Sequence, residues 1–89
     1  MEQDVIVINE ADNVGVARRD IAAGDEMALP GGGTITAAAD VPRGHKIALA
    51  EIGRGGRVIK YGECIGLAAT DIRTGDWVHT HNLEAVDRA

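Results

Sequence analysis

Four short segments share one pattern: an acid, Ile or Val, two variable residues, Gly, two more residues, then an apolar one. They are "DIAAGDEM" from Asp20, "DVPRGHKI" from Asp40, "EIGRGGRV" from Glu51 and "DIRTGDWV" from Asp71. Their glycines fall at 24, 44, 55 and 75, so the gaps run 20, 11 and 20. A shift of 31 residues lays the first pair on the second. The same shift puts Gly31 on Gly62, Ala37-Ala38 on Ala68-Ala69 and Asp40 on Asp71. The chain therefore reads as one domain over residues 1–89 with an internal duplication, its halves at about 20–47 and 51–78.

Each repeated segment reads as a turn. Glycine takes a positive φ without steric cost, and an acid ahead of it can accept backbone N–H groups. Four such turns joined by short apolar runs give a turn-rich β domain. Two copies are too few for a solenoid, so the expectation is a clasped pair of halves related by an approximate two-fold axis. Tyr61 and Trp77 are the only aromatics, which leaves Ile, Val, Leu and Ala to build the core. β-branched residues favour pleated surfaces, and the fold class expected is mostly β.

Outside the repeat, "DVIVI" is a continuous apolar run and reads as a strand covered on both faces. "NEADN" is a turn cluster, and "VGVAR" resumes as a strand with Val14 and Val16 on one face. "LPGGG" at 29–33 is a loop that lacks the Lys-Ser/Thr of a phosphate-binding P-loop. It reads as a flexible connection or a close approach of backbone. A helical period is weak except in "TITAAAD" and the tail "NLEAVDRA", each long enough for a turn or two.

Fourteen acids against nine bases give a net charge of −5, which argues against a nucleic-acid partner because phosphates call for clustered cations. No apolar run approaches the length of a membrane span, and the acidic start is unlike a signal peptide. The lone Cys64 fits a reducing, cytoplasmic setting and reads as a small buried hydrophobe.

The duplication supplies an internal control for chemistry. Just after each turn glycine stand Asp25, His45, Gly56 and Asp76. The scaffold positions match while this one varies, so His45, followed by Lys46, is a candidate for a function added to one turn. An exposed loop His and Lys is the plain alternative. "VHTHN" adds His79 and His81, which in an extended strand share one face about 6.6 Å apart. Two imidazoles so placed can share a metal, move protons near neutral pH or simply bond to backbone groups. Asn82 can orient an oxygen-rich ligand or cap a tail helix. Trp77 reads as a core or interface anchor. Tyr61 reads as a donor, or as a packed ring with a solvated hydroxyl.

Taken together, "DNVGVARRDIAAGDEM", "VPRGHKIALAEIGRGGRVIKYGECIG" and "ATDIRTGDWVHTHNL" resemble the small domain of the altronate and galactarate dehydratases, from about Asp12 to Leu83. The resemblance implies a SAF-type domain of β-clip fold. It also implies a lyase that dehydrates sugar acids to 2-keto-3-deoxy acids with a divalent ion, Fe2+ or Mn2+, held mainly by a separate large catalytic subunit. A related branch eliminates sulfite from (2R)-sulfolactate. The alternatives are the alpha subunit of such a sulfo-lyase, or a non-catalytic binding or assembly module. Self-association of the chain is a further open reading.

Three blocks carry the resemblance residue by residue: "GHK" at His45 and Lys46, "WVHTHN" at His79, His81 and Asn82, and "KYGECIG" at Lys60, Tyr61, Gly62 and Gly66. The expected catalytic residues are His45, His79 and His81, with His79 and His81 also the metal candidates. Arg43, Lys46, Tyr61 and Asn82 are the expected substrate-binding residues. One departure is Gly15, where the family's "DNVAVA" carries alanine.

Overall fold

The computed structural model describes residues 4–85. Among these the structure is all β, with nine short strands and no helix: β1 Val5–Ile6, β2 Val14–Ala17, β3 Glu26–Ala28, β4 Thr34–Thr36, β5 Lys46–Ala48, β6 Arg57–Lys60, β7 Glu63–Ala68, β8 Trp77–Val78 and β9 Leu83–Ala85. A central four-stranded sheet has the order β1-β2-β5-β8, flanked by a β3-β4 pair and a β6-β7-β9 sheet. Every pairing is antiparallel. No helix here is long and apolar enough to cross a membrane.

The 31-residue period of the sequence recurs bond by bond. Ile21 bridges Val41, and Ile52 bridges Ile72. The Gly24 N–H donates to the Ala37 carbonyl and Gly55 to Ala68, each at 2.8 Å. The Ala23 N–H donates to the Asp40 carboxylate at 2.8 Å and Arg54 to Asp71 at 2.9 Å. The acids ahead of the turns thus accept backbone donors across the half, as the pattern predicts. All four turn glycines have φ between 82° and 90°, the left-handed region that a side chain enters only under strain.

The cores repeat as well. One contains Val5, Ala17, Ile21, Met27, Ala37, Val41 and Ile47; the other contains Val14, Ala48, Ile52, Val58, Ala68, Ile72 and Val78. Six members of each lie 31 residues apart. The seventh corresponds through pairing, since Val5 faces Ala17 and Val14 faces Ala48. Strand alternation sends Val5, Ala17 and Ile47 to one face of the central sheet, and Val14, Ala48 and Val78 to the other. One core therefore lies on each side. The halves are related by a half-turn that also steps along the sheet, because β5 answers to β2 in one copy and to β8 in the other. The same bonds show this step: Ala17 N–H to His45 O and Ala48 N–H to Asp76 O, both 2.9 Å.

Three expectations change. The "DVIVI" strand is covered on one face only, because β1 is an edge strand: Val5 is buried while Ile6 is 42% and Ile8 63% exposed. "TITAAAD" opens as strand β4, since its alternation answers β3 in register from Glu26↔Thr36 to Ala28↔Thr34. The tail from Leu83 to Ala85 is strand β9 against β7; pairing with the backbone edge of β7 outweighs the local helical period of a segment too short to hold a helix alone. The remainder of that tail, 86–89, lies outside the described residues. The "LPGGG" stretch is a hairpin loop with three successive positive φ values, and a Cβ added at any of its glycines would meet nothing within 4 Å. Gly15 does serve a close approach. A Cβ there would strike the Val5 side chain and lie 3.0 Å from the Ile6 carbonyl, so glycine lets β1 close over β2.

Candidate functional site

The β5–β8 ladder brings two distant motifs together. Lys46 pairs with Val78 and Ile47 with Trp77, so His45 and His79 meet at the end of that ladder. The ring centroids of His45 and His79 are 4.8 Å apart and tilted by 41°. Trp77 contacts all three imidazoles. His79 stacks on it at 5.2 Å with an interplanar angle of 9°, and His81 meets it at 5.1 Å and 43°. The Trp77 indole N–H donates to Nδ1 of His45 at 3.1 Å. Three imidazoles and one indole thus form a single aromatic cluster, with His45, Trp77 and His79 half-buried and His81 exposed.

The turn glycine's neighbour explains why His45 is available. Asp25 and Asp76 close their own turns, accepting the Ala22 N–H at 3.0 Å and the Arg73 N–H at 2.7 Å. At the matching place stands Pro42, which has no N–H to donate, so His45 is not needed to close its turn and its Nδ1 takes the Trp77 hydrogen instead.

The "VHTHN" segment is a turn and not the extended strand expected. β8 ends at Val78, and the His79 carbonyl accepts both the Asn82 N–H at 3.1 Å and the Leu83 N–H at 2.9 Å. Asn82 is the cause. Its Oδ1 accepts the His79 N–H and its Nδ2 donates to the Trp77 carbonyl, each at 2.9 Å. The side chain supplies what a neighbouring strand would have supplied, so the chain folds back and both histidines return to the indole. Asn82 is 5% exposed and caps no helix.

The expected substrate-binding residues separate. Arg43 is exposed on the turn that carries His45, its N–H donating to Asp20 Oδ1 at 2.9 Å. Lys46 leaves the cluster, because alternation puts it on the opposite face of the sheet from His45, between Val16 and Val78. Burial, and next repulsion from Lys60, push its ammonium pKa down. Tyr61 sits in the β6–β7 hairpin, with the Lys60 ammonium 4.6 Å above its ring. Trp77 is the member that sequence reasoning placed only as an anchor. It does pack on the first core, but its other contacts make it the hub, and its place two residues before His79 was the available signal.

Beside the cluster, a cleft of about 240 Å³ is lined by Trp77, His81, Asn82, Asp71 and Asp76 among others. Its two carboxylates make it acidic, so an anionic ligand there needs cations from another source. Among the described residues no group of three or more His, Cys, Asp or Glu could hold a metal ion. The complete ligand set of a metal centre is thus not furnished by these residues.

Residues 3–86 match the altronate/galactarate dehydratase SAF domain. The chain belongs to this family. It is 49% identical over 77 residues to an altronate dehydratase of Escherichia coli, covering 86% of this chain and 15% of that one. An altronate dehydratase of Bacillus subtilis is 43% identical over 79 residues, 89% of this chain and 16% of its own length. The (2R)-sulfolactate sulfo-lyase subunit alpha of Paracoccus pantotrophus is 52% identical over 50 residues, 56% of this chain and 75% of that subunit. The SAF-family chain therefore spans a small part of the dehydratases it matches and most of a short lyase subunit. These relatives are lyases by name.

Proposed function

We propose that this SAF-family chain is the small component of a carbon–oxygen lyase that dehydrates a sugar acid of the altronate or galactarate type. It works with a separate large catalytic component in the cytoplasm. The observation that carries the reading is the convergence of His45, His79 and His81 on Trp77, from two elements far apart in sequence. The identity to altronate dehydratases supports the substrate class.

Dehydration of a 2,3-dihydroxy acid removes the proton at C2 and the hydroxyl at C3, as water, and leaves an enol that tautomerises to the 2-keto-3-deoxy acid. The reaction calls for a base at C2, stabilisation of the developing enediolate and a proton for the departing hydroxide. Imidazoles suit the proton work because they exchange protons near neutral pH. The acidic cleft and the dispersal of Lys46 and Tyr61 mean that most cationic partners of the substrate belong to the large component. Arg43, exposed on the turn that carries His45, is a cation this chain can offer. The divalent ion that such an enzyme uses is likewise assigned to the large component.

Reconstitution tests the reading. The large component with wild-type chain should form 2-keto acid, and His79→Ala or His81→Ala should lower turnover by roughly a hundredfold, the scale of lost acid–base help. Full turnover by both variants would remove the catalytic role. If the chain only holds the assembly together, omitting it should shrink the oligomer yet leave activity per large component. A second reading, the alpha subunit of a (2R)-sulfolactate sulfo-lyase, is favoured by the match to three-quarters of such a subunit. Assays on altronate, galactarate and sulfolactate decide between the two.

A further inference from the structure

The bond between Trp77 and His45 has a direction. An indole nitrogen is a donor only, so the hydrogen at 3.1 Å comes from Trp77 and Nδ1 of His45 presents a lone pair. A neutral imidazole carries one hydrogen, which must then reside on Nε2. The doubly protonated ring has no lone pair for Trp77, so this bond belongs to the neutral form. The ring's plane is also constrained, with Trp77 tilted at 46° on one contact and His79 at 41° on another. His79 in turn is stacked on the same indole, and its N–H is pinned by Asn82. Two rings and one hydrogen bond thus fix both the orientation and the tautomer of a half-buried imidazole.

We infer that Trp77 holds His45 in its Nε2–H tautomer, so that His45 serves the shared site as a neutral hydrogen-bond donor and not as its base. A neutral N–H directed at an oxygen stabilises charge as it develops there, without a proton changing owner. The oxygens of a 2-hydroxy acid that gain charge in the reaction, those of the enediolate and its carboxylate, are the acceptors this donor fits. Trp77 is the positioning residue, since it acts through His45. Proton removal then falls to His79, to His81 or to the large component. The role of His45 rests on the shared-site reading above; the tautomer does not.

The tautomer is measured on the full chain, without substrate, by long-range proton–nitrogen correlation of the 15N-labelled protein. His45 is expected to show the Nε2–H pattern, and Trp77→Phe, which removes the donor and keeps a ring, is expected to lose that preference. An Nδ1–H pattern in the wild type overturns the inference, as does an unchanged pattern in Trp77→Phe. The role is measured on the reconstituted enzyme. His45→Ala is expected to lower kcat roughly a hundredfold, as removal of one oxyanion donor does. Trp77→Phe should lower it about tenfold, the scale of one hydrogen bond, with KM little changed.

The double variant should be no slower than His45→Ala alone, because the two residues act through one group. Additive losses overturn the positioning role. His45→Gln separates donor from base, since an amide can accept from Trp77 and donate onward but cannot carry a proton. It is expected to retain several-fold more turnover than His45→Ala, and equal loss in the two overturns the donor role. Full turnover by the alanine variants of all three histidines would instead sink the shared-site reading, with the tautomer decided separately.

Discussion

Asn82 holds three main-chain partners in one turn, and its burial leaves water little access to replace them. Truncation to alanine removes the acceptor of the His79 N–H and the donor to the Trp77 carbonyl. Each orphaned group at a buried site costs about 1–3 kcal/mol, so Asn82→Ala should lower stability by that order in a urea titration. His79 and His81 should also lose their fixed contacts with Trp77, visible as changed ring-current shifts. Tyr61 is a different case. Its φ of 56°, followed by 74° at Gly62, is the geometry of a two-residue hairpin turn that prefers Asn-Gly. Tyr61→Asn should therefore raise the melting temperature, by an amount equivalent to a few tenths to about 1 kcal/mol. A lower melting temperature would mean that the Lys60–Tyr61 contact outweighs the strained backbone. The sequence announced both residues by type, through "HTHN" and "YG". It could not show that one amide is turned wholly inward or that the tyrosine occupies a left-handed position.

Among the elements, the repeated turns were the most legible part of the chain. Their glycines, acids and flanking apolar residues lie close together, and local sequence decides a turn. The duplication also makes a controlled experiment possible. Gly44 and Gly75 are 31 residues apart, with φ of 84° and 89°. A Cβ at Gly44 meets nothing within 4 Å, whereas one at Gly75 runs into the Thr36 carbonyl and lies 3.1 Å from the Ala38 nitrogen. Both alanine variants bear the left-handed backbone cost of about 1–2 kcal/mol. Gly75→Ala should lose more, because the Ala38 N–H to Gly75 O bond at 2.9 Å must also shift. Equal destabilisation of the two, measured by thermal unfolding, would refute this account. The contact that matters for chemistry was less legible. His45 and His79 meet only through the β5–β8 register, a pairing between distant segments that no local pattern specifies. β9 escaped for the same reason, since its strand character comes from β7.

At the scale of the whole molecule, Asp4, Asp12 and Asp25 are structural. The Asp4 carboxylate accepts the Ala28 N–H at 2.8 Å and pairs with Arg19 at 3.0 Å; the backbone bond first, then Arg19, hold its pKa below the ordinary value. In Asp12, burial opposes but is outweighed by N–H donors led by Gly62. The Ala22 N–H, then Arg19, lower Asp25. A depressed folded pKa means that the fold binds fewer protons than the unfolded chain. The stabilisation is therefore complete above the unfolded carboxylate value and is lost as pH falls through the lower folded values. Unfolding free energy should fall through the acid range below about pH 4, and Asp4→Asn should flatten that slope. An unchanged slope would place the acid sensitivity elsewhere.

The step that relates the two halves has one more consequence. A pure half-turn would seal the pair, but a half-turn with an offset is an open progression, in which every unit leaves a fresh margin for a successor. β1 stops that progression on one side. On the other, the next rung would have been laid along β8; there the chain doubles back, and the Asn82 side chain takes up that margin and gathers the imidazoles beside it.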